Sequence, residues 1–334
     1  MRLTSLIFPL LGVALLALVL GQADLGQLGA HIARAGWGTF ALICALFLPY
    51  FAADVLNWQA ALPGIPRTPR WFARLWLVRM IGDAYNNVTP TAALGGEAVK
   101  GWLMKRRYGV PWRVTGAGIV IARTSTMFAL IAFAAVGVVL VWRRPGLDAH
   151  QQWFALATLA AVVMGTAAIF LVQYFHLSSR LARALGASRR GGRLVRAVAA
   201  VEDMDRRLGA YYREHRGGLV ACIAWAFVAW VLGALEAWLV LRALGAPASF
   251  ADVWIMEAFV QSVRAASFFI PAGLGAQEAA MTVMIDWLLG VPTAGVATAL
   301  VRRAREVLWL ALSLLAGSLC SARVGAQAAD ALRD

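Results

Sequence analysis

The stretch GDAYNNVTPTAALGGEAVK, residues 82–100, interrupts an apolar segment of membrane length with polar side chains, a proline and paired glycines. Pro90 has no backbone N–H, Asn87 and Thr89 draw backbone groups away from helical partners, and Gly95-Gly96 frees the local dihedrals. The pattern predicts a helix that stops near Asn86 and restarts near Leu94. Inside a bilayer, a broken backbone survives only where protein buries it or where it lines a wet cavity. The segment therefore marks an internal site.

The pattern occurs twice. At a constant offset of 181 positions, Pro66, Pro90, Glu97 and Pro111 fall on Pro247, Pro271, Glu278 and Pro292, and Gly109-Val110 falls on Gly290-Val291. PTAALGGE in the first half thus answers PAGLGAQE in the second. Interrupted apolar segments at corresponding positions of an internal repeat are the sequence mark of a transporter binding site.

Composition fixes the solvent. With 61% apolar and only 14% charged residues in 334 positions, the chain reads as a polytopic membrane protein without a sizeable soluble domain. A net charge of +14 in a soluble protein would suggest nucleic acid. Here the arginines flank apolar segments, as cytoplasmic anchors do, and no nucleic-acid partner is expected. Cys44, Cys222 and Cys320 are far apart within apolar stretches, and the four histidines do not cluster with them. Neither a disulfide framework nor a metal site is indicated, and no cofactor motif is present.

Taken in order, Leu3 to Gly21 is long for a signal peptide and reads as a first span. Trp37 to Ala60 is the second, carrying Asp54 and Asn57. The flanks at Arg67, Arg70 and Arg74 and at Lys105, Arg106, Arg107 and Arg113 are both basic, which predicts the same cytoplasmic side. Leu75 to Met104 is too short for two full spans of about 20 residues each, so it reads as a re-entrant hairpin. Gly116 to Val141 and Trp153 to Tyr174 are the next two spans, and the basic Arg143-Arg144 connection sits poorly with the outside location this order requires. Arg180 to Arg216 is a basic cytoplasmic stretch, either an anionic-lipid contact or a solvated amphipathic helix. Gly218 to Leu241 crosses with Glu236 inside it. Asp252 to Trp287 holds the second break between flanks poor in Lys and Arg, and Val296 to Cys320 returns to the cytoplasm.

The expected fold is an all-α polytopic membrane protein: six transmembrane helices plus two re-entrant broken-helix hairpins arranged as inverted repeats. Residues 1–334 form one membrane domain. It divides into 1–36, a first repeat 37–141 with its hairpin at about 70–107, a linking region 142–217, a second repeat 218–320 with its hairpin at about 252–288, and a tail 321–334. Both termini are expected in the cytoplasm. Trp37, Trp71, Trp112, Trp142 and Trp153 read as an aromatic belt rather than a ligand cage.

Glu97 and Glu278 each follow a break proline by seven residues, near the start of the second half-helix. Charged groups at such depth cost about 2.5 kcal/mol or more unless paired or wet. Two roles stand side by side for them: proton carriers, or caps that offset a helix dipole. The cations Arg79, Lys100, Arg123, Arg264, Arg302, Arg303 and Arg305 include i,i+4 partners for acids in Arg79–Asp83 and Arg302–Glu306. Since Glu306 neutralises only one of its three neighbouring arginines, a phosphate or other anion is expected to meet the rest. Asn86, Asn87, Ser267 and Gln277 suit either a polar headgroup or the freed backbone. The expected cavity set is Asp83, Asn86, Asn87, Pro90, Gly95, Gly96 and Glu97 from the first hairpin. The second contributes Arg264, Ser267, Pro271, Gly273, Gly275, Gln277 and Glu278, joined by Arg123, Arg302, Arg303 and Arg305. No catalytic or metal-binding residue is assigned.

DAYNNVTPTAALGGEAVK, EAFVQSVRAASFFIPAGLGAQE and VRRAREVLW resemble the flippase-like transmembrane region of the lysylphosphatidylglycerol synthase family, in particular its hopanoid-biosynthesis-associated membrane protein branch. The resemblance runs from about Trp37 to Gly317. It implies a bacterial inner-membrane protein that moves a lipid between leaflets, with Gly95 to Glu97 and Glu278 in a central cavity. The full synthases also carry a soluble aminoacyl-transferase domain. This chain ends at Asp334 without one, so an enzyme transferring lysine to lipid is not expected. Where the family often has an acidic residue after the first hairpin, this chain has GIVIARTSTMF with Arg123. The expected function is a lipid translocase for anionic or hopanoid-type lipids. Its rivals are a membrane enzyme using the two carboxylates as acid and base, and a scaffold for lipid-biosynthesis enzymes.

Overall fold

The computed structural model describes residues 25–88, 95–144, 149–174, 202–203, 206–266 and 275–330. The expected first span, Leu3 to Gly21, lies outside them. The elements are α1 (Leu25–Ala60), α2 (Pro69–Val88), α3 (Gly95–Tyr108), α4 (Trp112–Arg143), α5 (Ala149–Tyr174), α6 (Arg216–Ala243), α7 (Phe250–Ala266), α8 (Ala276–Leu289) and α9 (Pro292–Asp330). The described residues contain no strand. Gly36, at φ 65°, breaks α1 just before its apolar part begins.

Gly36–Ala60, Trp112–Arg143 and Arg216–Ala243 are long and apolar enough to cross a membrane, and α5 carries a shorter apolar run, Gln152–Ala168. The last expected span falls in α9, where Arg302, Arg303, Arg305 and Glu306 precede an uncharged apolar run, Val307 to Cys320. Trp37, Trp112, Trp142 and Trp153 are exposed, as belt residues are. Trp71 is instead tucked beside Tyr108, with the Arg74 guanidinium 4.7 Å over its ring.

The repeat is visible in the helix boundaries. Under the 181-residue offset Pro69, the first residue of α2, maps onto Phe250, the first residue of α7. Neighbour relations repeat as well: α1 packs on α9 as α6 packs on α4, and α2 packs on α9 as α7 packs on α4. The equivalent helices α1 and α6 lie against each other in opposite directions. Asn57 near the end of α1 bonds the Cys222 carbonyl near the start of α6, while Ile43 early in α1 clusters with Val240 and Leu244. Equivalent helices that run antiparallel make the two repeats inverted.

Each hairpin closes on itself. Along α2 and α3, Trp71 meets Tyr108, Asp83 meets Lys100, and Asn86 meets Gly96, so both helix ends lie together and the turn lies at the far end. The second hairpin is tied at its open end by Arg144, which binds Asp252 at the start of α7 and the Leu288 carbonyl at the end of α8. That contact also accounts for the basic connection after α4, since one of its two arginines is neutralised by a carboxylate. The first hairpin opens at the start of α4 and the second at its end. Because α4 has 32 residues, these openings are about 48 Å apart along its axis.

Two apolar clusters hold the halves. One joins Phe51, Trp58, Leu75, Met104 and Ile121; the other joins Leu241, Met256, Val260, Met281 and Ile285. Most of the basic stretch between repeats lies outside the described residues. Within them, Asp203 pairs with Arg206, Arg207 and Arg113, so part of that stretch is fastened to the start of α4. The Arg207 guanidinium holds the Asp203 carboxyl below its ordinary range.

Candidate functional site

Helical spacing sets the first wall of the site. Arg79, Asp83 and Asn86 lie on one face of α2, and Glu97 and Lys100 lie on one face of α3. The α2–α3 approach is close enough to bring these faces together only because glycines line it: a Cβ on Gly96 would lie 1.9 Å from the Gly82 carbonyl oxygen. At the tip, Asn86 Oδ1 accepts the Gly96 N–H at 2.7 Å, satisfying an orphan donor at the start of α3. Lys100 Nζ bonds Asp83 Oδ1 at 2.8 Å and Glu97 Oε1 at 3.3 Å. Arg123 from α4 reaches Glu97 at 2.7 Å, and Arg79 pairs with Asp54 on α1. The predicted Arg79–Asp83 pair is present at 3.7 Å.

The second wall is built from α6, α7 and α9. Arg302 bonds Glu257 at 2.8 Å, and Arg305 bonds Glu236 at 2.7 Å. Arg303 pairs with Glu278 and, at 2.7 Å, with Glu306. These contacts correct two sequence expectations. Arg302 takes Glu257 rather than Glu306, and all three arginines meet carboxylates, three of which come from other helices. No exogenous anion is required to balance them.

Both walls face one cavity of about 400 Å³. From the first repeat it is lined by Asp54, Asp83, Asn86, Glu97, Lys100 and Arg123, and from the second by Glu236, Gln261, Arg264, Arg302, Arg305 and Glu306. The two hairpin tips therefore converge near the middle of α4, from which Arg123 and Leu130 enter the same space. Among the described residues, several buried polar atoms on this lining have no hydrogen-bond partner: Trp58 Nε1, Trp309 Nε1, Arg79 Nε, Arg305 Nε, Gln261 Oε1 and Glu236 Oε1. Glu236 Oε1 lies 3.9 Å from Arg302 Nε, within ion-pair range but too far for a hydrogen bond. Leaving such a group unsatisfied costs about 1–3 kcal/mol. These atoms are enclosed by protein; the polar group that the lining offers to an occupant is the Arg123 guanidinium, whose side chain is about half exposed.

The predicted residues separate into two groups. Asp83, Asn86, Glu97, Arg123, Arg264, Arg302 and Arg305 line the cavity. Gly275, Gln277, Glu278 and Arg303 are not on its lining. Glu278 is buried, accepts the Gly275 N–H at 2.8 Å and closes a cap on α8, so the geometry gives it the capping role. Gly95 and Gly96 open α3. Pro90, Ser267, Pro271, Gly273 and the Asn87 side chain lie outside the described residues. Sequence reading missed Gln261, Trp58, Trp309 and the partner acid Glu257. Asp54 and Glu236 were noted only as charges in spans. Their signal was that each is the one acid in an apolar helix, at equivalent places but for one residue.

Across residues 5–314 the chain matches the lysylphosphatidylglycerol synthase TM region. The chain belongs to that family. It is also 25% identical over 246 residues to a UPF0104 membrane protein of Methanothermobacter thermautotrophicus, covering 69% of this chain and 70% of the relative. No solved structure matches it. Family membership and the apolar helices make this a membrane protein, and the charged cavity lies within the residues matched to the family.

Proposed function

We propose that this protein carries a lipid between leaflets, its headgroup passing through the charged cavity while its hydrocarbon stays in the bilayer. The observation that carries the reading is the convergence of two oppositely opening hairpin tips on one polar space. A headgroup crossing unaided would leave its charges and hydrogen bonds in hydrocarbon; this lining supplies both. In the proposed arrangement, six helices span a bacterial inner membrane and the hairpins are re-entrant from opposite faces. Both termini are then cytoplasmic. Inverted repeats of this kind support alternating access by rocking one half against the other.

The half-exposed Arg123 guanidinium on the lining favours a phosphate or hydroxyl-rich headgroup. A hopanoid-linked lipid is the preferred cargo by the sequence resemblance alone. Reconstitution into vesicles with fluorescent headgroup-labelled phosphatidylglycerol tests the proposal through the rate at which inner-leaflet label becomes accessible to an external quencher. Wild type is expected to accelerate that rate and Glu97→Gln to abolish the acceleration. Rates equal to protein-free vesicles for phosphatidylglycerol and for hopanoid-linked lipids alike would refute it.

A further inference from the structure

A second cavity, of about 300 Å³, lies on the other side of the α4–α7 contact. Its walls come from α4 (Ala134, Val138), α5 (Phe154, Leu159), α7 (Phe259) and α8 (Met284), and no Asp, Glu, Lys or Arg lines it. The two hydroxyls on its lining are turned into their own helices: Thr158 donates to the Phe154 carbonyl at 3.0 Å and Ser262 to the Ala258 carbonyl at 2.7 Å. Apart from the rings of His150 and Trp287 the crevice thus presents carbon, and its volume is at the lower end of the roughly 300–1,000 Å³ found for small-molecule sites.

The crevice is continuous in the chain with the charged cavity. On α4, Leu130 lines the polar space and Ala134, one turn later, lines the crevice. On α7, the neighbours Gln261 and Ser262 divide in the same way. Small residues of the crevice lining bring α4 and α7 close: a Cβ on Gly137 would lie 3.0 Å from Ala258 Cβ. An amphipathic molecule held with its polar end among Gln261, Glu236 and Arg305 has an apolar slot one helical turn away.

We infer that the α4–α5–α7–α8 crevice is a hydrocarbon-tail site, holding one chain of the same lipid whose headgroup enters the charged cavity. The inference rests on the proposed lipid reading for its biological meaning, but occupancy of the slot can be measured without transport. The probe is a phosphatidylglycerol with a photoactivatable diazirine in one acyl chain, incorporated into vesicles with the full-length protein and mapped by mass spectrometry. Labelling is expected to concentrate on Phe154, Phe259 and Met284, and to fall about five- to tenfold in Ala155→Trp, which fills the slot from α5. Ala167→Trp, on the exposed face of the same helix, should leave labelling unchanged. If transport is absent yet this labelling pattern holds, the tail site stands and the translocase reading falls. Labelling spread evenly over exposed positions such as Met164, or indifferent to Ala155→Trp in a variant that melts like wild type, overturns the tail site.

Discussion

Arg123 on α4 donates to Glu97 Oε1 at 2.7 Å from a side chain that remains 53% exposed in the cavity. One repeat later, Arg303 on α9 meets Glu278, but there the carboxylate is only 3% exposed and also caps α8. Offset by a single residue on the arginine side, the two pairs are alike in chemistry and unlike in access. The first is reachable by a ligand, whereas the second is enclosed by protein.

Glu97→Gln is expected to remove lipid movement with a small effect on folding, because Lys100 and Arg123 can turn to the cavity and to Asp83. Glu278→Ala should instead keep lipid movement and lower stability by about 1–2 kcal/mol, the worth of a helix cap. Arg303 retains Glu306 in that variant, which limits the loss. Thermal melting in detergent beside vesicle transport separates the two; equal effects on both readouts would contradict the division.

Arg302 sits between Glu257 and Glu236, and all three are buried. Arg302→Met leaves the Glu257 carboxylate without its ion pair, while Glu236 keeps Arg305, and should cost about 3–5 kcal/mol. The double variant Arg302→Met, Glu257→Gln should recover at least half of that. A double variant no more stable than the single would show that the pair is not coupled.

Gly96 and Gly233 make a second contrast. A Cβ on Gly96 strikes the Gly82 backbone oxygen, so Gly96→Ala must push α2 and α3 apart, with a cost of about 1–3 kcal/mol. At Gly233 the nearest atom is Tyr50 Cε2 at 3.8 Å, and Gly233→Ala should be neutral or stabilise α6 by up to about 1 kcal/mol. Melting temperatures of the two variants report the difference.

The proposed re-entrant arrangement predicts a pattern of membrane sidedness. In a background lacking native cysteines, Arg70→Cys and Lys105→Cys are expected to label from one side and Arg143→Cys from the other, since the first pair flanks the open end of α2–α3 and Arg143 lies at the open end of α7–α8. Labelling of Arg70→Cys and Lys105→Cys from different sides would mean that this hairpin crosses the bilayer.

Local chemistry decided what the sequence alone determined: the membrane class and the repeat, whose prolines and glutamates act on their own stretch of backbone. The predicted breaks fall on 89–94 and 267–274, outside the described residues. The Arg79–Asp83 pair was legible for the same reason, since i,i+4 neighbours on a helix meet whatever surrounds them. Only the tertiary structure decided which carboxylate serves which arginine. Glu257 and Glu236 are 45 and 69 residues from Arg302 and Arg305, and their meeting depends on how α6, α7 and α9 pack. The same packing left Glu97 open to the cavity and enclosed Glu278, a distinction that two matching motifs could not carry because burial is a property of neighbours.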